Sequence, residues 1–131
     1  MADVNRGDRP LSPHLTIYRP QINSIMSILH RITGAGLVLA FLMIVWWFVA
    51  AASGADAFAS ADGVLTSILG GLILIGSVFA LWYHACNGIR HLIWDTGSGL
   101  EIEQVKMSGY VAIGAAAFLT LVTLIVAFKG A

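Results

Sequence analysis

The sequence predicts an all-α membrane protein with three transmembrane helices, and three observations carry that prediction. The chain is 58% hydrophobic and only 11% charged over 131 residues, whereas soluble domains carry roughly 25% charged residues. Mean hydropathy is +0.85. Three runs, residues 34–52, 64–89 and 107–128, contain no Asp, Glu, Lys, Arg or Pro. A hydrocarbon core of about 30 Å takes roughly 20 residues of helix to cross, so each run can span. Barrel strands alternate over about 10 residues; these runs are continuous and about twice as long.

The length allows one domain, residues 1–131. Formal net charge is zero, which gives no general attraction to nucleic acid. The single cysteine, Cys86, excludes an intrachain disulfide framework and a cysteine-rich metal site, and is most simply a small buried hydrophobe.

The first element is a polar arm, residues 1–23, which holds Arg6, Arg9 and Arg19 together with Pro10, Pro13 and Pro20, every proline in the chain. Proline breaks helices, so a non-helical segment is expected. A cleavable signal peptide would place its apolar stretch nearer the start and end it in a small-residue cleavage site. The first span, about residues 24–52, is therefore read as retained. A short connection over residues 53–63 carries Asp56 and Asp62. The second span, about 64–91, leads into a longer connection, about 90–106, with Asp95, Glu101 and Glu103. The third span is 107–128.

Lys and Arg set the expected orientation, because positive residues stay in the cytoplasm. Arg6, Arg9, Arg19, Arg31, Arg90 and Lys106 fall on the N-terminal side, against Lys129 alone on the other. That predicts a cytoplasmic N-terminus and a periplasmic C-terminus. With no Arg/Ser-rich transit peptide in view, a bacterial inner membrane is favoured over a mitochondrial one.

Polar groups within spans are costly and often functional. Ser27, His30 and Arg31 are at i, i+3 and i+4 and share a helical face at the entrance of the first span. One reading is that Arg31 and His30 snorkel to lipid headgroups while Ser24 caps the helix; the other is a convergent polar site. At the end of the second span, His84 and His91 lie seven residues apart on one face. Gly76, Ala80, His84 and Gly88 recur there every four residues. Small residues beside an imidazole leave room for a flat macrocycle, or equally make a small-xxx-small helix contact. Antiparallel packing would bring both clusters to one depth, as a single polar pocket. Two ligands must reach a haem iron from opposite faces, so His84 and His91 cannot both serve. His30 opposite His84, or a ligand from a second membrane chain, remain open.

Three segments carry a resemblance: Arg9-Pro10-Leu11-Ser12-Pro13-His14-Leu15, Ser27-Ile28-Leu29-His30-Arg31-Ile32-Thr33-Gly34 and His84-Ala85-Cys86-Asn87-Gly88-Ile89-Arg90-His91-Leu92-Ile93-Trp94-Asp95. Together they resemble the cytochrome b556 subunits of succinate dehydrogenase, the larger membrane anchors of respiratory complex II. The resemblance implies a heteromeric helix bundle with a smaller membrane anchor, an iron–sulfur subunit and a flavoprotein subunit. It implies haem b with His84 as one axial ligand and the other from the smaller anchor. It also implies a ubiquinone site containing Ser27 and Arg31, with His30, Arg31 and His91 near the haem propionates. The role implied is electron transfer to quinone, with Ser27 donating to a carbonyl and Arg31 stabilising charge that develops on quinone oxygens; the alternatives are an anchor of a fumarate reductase using a low-potential quinone, or a structural anchor without haem. His14 reads as a surface or docking residue, and Trp94 suits the membrane–water belt.

Overall fold

In the computed structural model, which describes Gly7, Ser12, His14 and residues 16–130, the first apolar run forms the middle of a long helix, α1 (Ile22–Ser53). At ~1.5 Å per residue its 32 residues reach about 48 Å, well beyond a ~30 Å core. The turns carrying Ser24 and Ser27 therefore stand at one end of the span. Three further helices follow among the described residues: α2 (Ala55–Leu65), α3 (Ile68–Asp95) and α4 (Ile102–Gly130). α1, α3 and α4 are each long and apolar enough to cross a membrane.

The chain departs from the expected connections in three places. Residues 53–63, read as a short loop, are largely helical. Gly54 turns the chain at φ 134, a conformation that side-chain-bearing residues rarely adopt, and α2 starts immediately after it. Its alanines favour helix and Asp56 complements the first turn. Ala61 and Leu65 are buried; Trp47 packs edge-on against Phe58, with centroids 5.3 Å apart, and its Nε1 donates to Asp62 Oδ1 at 3.2 Å. The second run is also interrupted. Ser67 takes an extended conformation and its hydroxyl accepts from the Gly70 amide at 3.1 Å, so α3 starts at Ile68 and not at 64. A run of 26 residues can lose four and still span. Finally, the connection read as 90–106 shrinks to residues 96–101, where Gly97 and Gly99 have positive φ. Glu103 and Lys106, whose charge ended the third apolar run, lie instead in α4 and pair at 3.1 Å.

α4 lies on α3 through a stripe of small residues. Gly109, Ala112, Ala116 and Thr120 are buried at spacings of three and four, which lets backbones approach closely where lipid gives helices no hydrophobic reason to associate. Trp82 Nε1 donates to Thr123 Oγ1 at 2.9 Å and joins the same pair of helices. The core is small: Met26, Tyr83, Ala112 and Ala116, with Ile22, Trp82, Cys86 and Ile113 packed against it. Large side chains such as Leu39, Phe41, Ile68 and Phe118 point outward, an inversion that suits lipid and protein neighbours rather than water.

Candidate functional site

Antiparallel packing of α1 and α3 brings the two polar clusters together. Ser27, His30, Arg31, Gly88, His91 and Leu92 line one cavity of about 530 Å³. His30 enters from α1 and lies between the histidines of α3. Its ring stacks on His84, centroids 3.9 Å apart and planes within 8°, and tilts against His91 at 5.2 Å. Gly88 lies beside it: a Cβ there would meet His30 Cε1 at 3.8 Å, an ordinary contact distance.

The stacking bears on one question left open by spacing. Imidazole lone pairs lie in the ring plane. Parallel stacked rings direct those lone pairs side by side, so His30 and His84 as arranged cannot ligate one iron from opposite faces. The two histidines of a trans pair cannot both come from this arrangement.

His84 is itself held in a defined tautomer. Its Nδ1 lies 3.0 Å from the His30 carbonyl oxygen and 3.3 Å from Thr33 Oγ1. A carbonyl only accepts, so Nδ1 carries a proton, and in the neutral ring Nε2 is the nitrogen with the lone pair. Thr33 hydroxyl bonds to the Leu29 and His30 carbonyls at 2.8 and 3.0 Å, fixing it beside the ring. Gly34 completes the seat: a Cβ at this position would fall 2.9 Å from His84 Cε1. A neutral imidazole anchored through Nδ1–H to a carbonyl is the arrangement in which histidines ligate metals through Nε2. The donor set thus fits one axial ligand of a haem.

Ser27 is half-buried and Arg31 exposed, so the cavity has a hydroxyl and a guanidinium on one wall and His91 on the other. His91 also meets the Trp94 ring edge-on at 5.1 Å, and Trp94 Nε1 donates to the Gly99 carbonyl at 3.1 Å. A second cavity, of about 570 Å³ between α3 and α4, is lined mainly by apolar side chains such as Ile89, Ile93 and Val111; none of the histidines reaches it. Cys86 borders that cavity and is half-buried. His14 is exposed and bonded to Thr16 Oγ1 at 2.7 Å. Arg9, Pro10, Leu11, Pro13 and Leu15 of the arm motif lie outside the described residues.

Beside the cavity is a group whose role spacing did not reveal. Arg90, counted in the sequence only as a topological charge, is 4% exposed. Its Nε donates to Ser108 Oγ at 3.0 Å, its Nη1 to Asn87 Oδ1 at 3.1 Å, and its Nη2 to Asn23 Oδ1 and the Val105 carbonyl, both at 2.9 Å. The guanidinium lies 4.0 Å over the Trp94 ring. Its partners belong to α1, α3 and α4, and none is a carboxylate. The one available signal was the stripe Tyr83, Asn87, Arg90 and Trp94, spaced four, three and four along one face of α3.

Comparison with known proteins agrees with this architecture. Residues 5–123 match the family model of the succinate dehydrogenase/fumarate reductase transmembrane subunit. A succinate dehydrogenase cytochrome b556 subunit of Paracoccus denitrificans is 54% identical over 128 residues, covering 98% of each chain. One from Rickettsia bellii is 42% identical over 113 residues, 86% of this chain and 88% of the relative. A succinate dehydrogenase cytochrome b560 subunit of Reclinomonas americana is 41% identical, covering 91% of this chain and 86% of the relative. With a family model spanning nearly all of it and three apolar helices to match, the chain belongs to the succinate dehydrogenase/fumarate reductase transmembrane subunits.

Proposed function

We propose that this chain is the membrane anchor that receives electrons from succinate oxidation, holding haem b through His84 and forming part of the ubiquinone site with Ser27 and Arg31. Family membership makes it a multi-pass membrane subunit of an oxidoreductase complex. The observation that carries the finer reading is a cavity lined by Ser27, His30, Arg31 and His91, with His84 stacked on His30 behind that lining and held through its Nδ1 by the His30 carbonyl.

Each side chain has a defined task in this reading. The His30 carbonyl and Thr33 orient His84 and keep its proton on Nδ1. His30, Arg31 and His91 supply donors to propionate carboxylates, where charge-assisted bonds are strongest. Ser27 donates to a quinone carbonyl, and Arg31 offers a fixed cation where negative charge develops on the ring oxygens. When bound, the haem supplies a one-electron redox centre beside the quinone. A second ligand would come from the smaller anchor, as the resemblance implies; His30, stacked on His84, is not placed to provide it. The iron–sulfur and flavoprotein subunits complete the complex on the cytoplasmic face of a bacterial inner membrane, with this chain's N-terminus on that side and its C-terminus in the periplasm.

The test is a comparison of two activities in the assembled complex. A hydrogen bond to a charged group contributes about 1.5–3 kcal/mol, and about 1.4 kcal/mol of barrier is tenfold in rate. Arg31→Leu is therefore expected to lower quinone reduction by roughly one to two orders of magnitude, and Ser27→Ala to weaken apparent quinone affinity. Succinate oxidation with a dye that takes electrons at the soluble subunits should survive in both variants. Parallel loss of both activities would mean that the residues hold the complex together; no loss of either would put the quinone elsewhere.

A further inference from the structure

A buried guanidinium without a carboxylate is expensive unless its geometry is needed. Among the described residues Lys106 and Glu103 form the only ion pair, and Arg90 satisfies itself on neutral acceptors alone. Those acceptors are informative. Asn23 and Met26 stand on the first turns of α1, four residues before Ser27 and His30 respectively. Arg90 Nη2 holds Asn23, Arg90 Nη1 lies 4.0 Å from Met26 Sδ, and Tyr83 Oη donates to the Met26 carbonyl at 2.9 Å. Tyr83 and Arg90, two turns apart on α3, therefore grip the same segment of α1. The other side of the guanidinium is fixed to α4 through Val105 and Ser108. Position 109 leaves room for this: a Cβ on Gly109 would fall 2.8 Å from Met26 Sδ and 3.7 Å from Arg90 Nη2.

From this geometry we infer that Arg90 is a positioning residue for the quinone site: through Asn23 and Met26, with Tyr83, it sets the register of Ser27 and Arg31 against His91. It touches neither quinone nor haem, and the inference rests on the reading of Ser27 and Arg31 as quinone-binding. A side chain with five donors in a planar fork can hold four acceptors on three helices at once; a lysine ammonium, with three donors at one point, cannot reproduce all four bonds. An error of about 1 Å in a reacting group's position can cost about a hundredfold, so loosening this grip should be felt at the quinone and not at the dye.

The experiment uses the whole complex, with a short-chain ubiquinone analogue and the dye as alternative acceptors. Arg90→Gln is expected to lower kcat/KM for the quinone about tenfold to a hundredfold, with a raised KM and unchanged dye activity. Arg90→Lys should recover only part of this, and Tyr83→Phe should shift KM the same way by less. The decisive measurement is the double variant with Arg31→Leu. If Arg90 acts through Arg31's position, the combined loss falls short of the product of the single losses; independent sites multiply. Full recovery in Arg90→Lys would replace the grip by a simple charge effect and overturn the inference. So would multiplicative losses, an unchanged quinone KM in an assembled Arg90→Gln complex, or equal loss of both activities. Should Arg90→Gln fail to assemble, Arg90→Lys and Tyr83→Phe decide by the same criteria. If Arg31→Leu alone changes nothing, the quinone reading itself fails, and that result is distinct from all the others.

Discussion

His84 illustrates how much of a site a single residue's surroundings determine. The stripe of small residues marked it in the sequence, but its tautomer depends on the His30 carbonyl and Thr33, fifty residues away. Ser27, His30, Arg31 and His91 were legible because helical periodicity alone puts them on two faces. Arg90 was not, because Asn23, Val105 and Ser108 join it only through packing. The same reasoning gives a prediction for Gly34. A methyl group there would stand 2.9 Å from His84 Cε1, so Gly34→Ala must turn the ring or push α1 away from α3. The expected outcome is an assembled complex whose reduced-minus-oxidised b-type spectrum or haem midpoint potential is shifted. His84→Ala should lose the native ligation altogether, whereas His91→Ala should disturb the spectrum with the iron still ligated. A wild-type spectrum and potential in His84→Ala would remove it as the ligand.

Among the elements, the three long helices were plain from uninterrupted apolar runs, and α2 was not. Its sequence mixes alanine with two aspartates and a glycine, which reads as a connection until Trp47 offers an indole to Asp62 and a face to Phe58. The break before α3 was hidden too, since Thr66 and Ser67 carry no charge and leave hydropathy high. Ser67 is the hinge of that break: its hydroxyl accepts from Gly70, and a Cβ on Gly70 would collide with the Val64 and Leu65 carbonyls. Replacing a serine cap by alanine costs about 1 kcal/mol. Ser67→Ala should therefore lower the thermal stability of the detergent-solubilised complex modestly, and Ser67→Asp should retain it. Gly70→Ala should be the more damaging of the helix-start variants, because backbone and not a flexible side chain stands in the way. Equal melting temperatures for Ser67→Ala and wild type would show that the cap contributes nothing to holding α2 against α3.

At the scale of the whole molecule, charge and packing bear jointly on orientation. Asn23 at the start of α1, Arg90 near the end of α3 and Val105 near the start of α4 meet at one guanidinium, so these three ends share one side of the bundle. In the sequence, six of the seven Lys and Arg residues fall in the segments expected on that side and Lys129 in the segment expected on the other. Arg90 is buried in hydrogen bonds and is not free to interact with a membrane surface, yet five against one remains a strong bias. Lys and Arg within short flanking segments dominate topology, and on that ground we propose that the shared end, and the cavity beside it, face the cytoplasm, with α2 and the C-terminus on the periplasmic side. A reporter active only in the cytoplasm, fused before the arm, should be active; the same reporter after Lys129, or inserted at Gly54, should be silent. The Gly54 insertion is the more searching of the two, since it samples the α1–α2 turn directly and does not depend on α4 crossing normally. Activity at Gly54 with silence at the N-terminus would invert the bundle and move the proposed quinone cavity to the face opposite the soluble subunits, where electrons from succinate could not reach it.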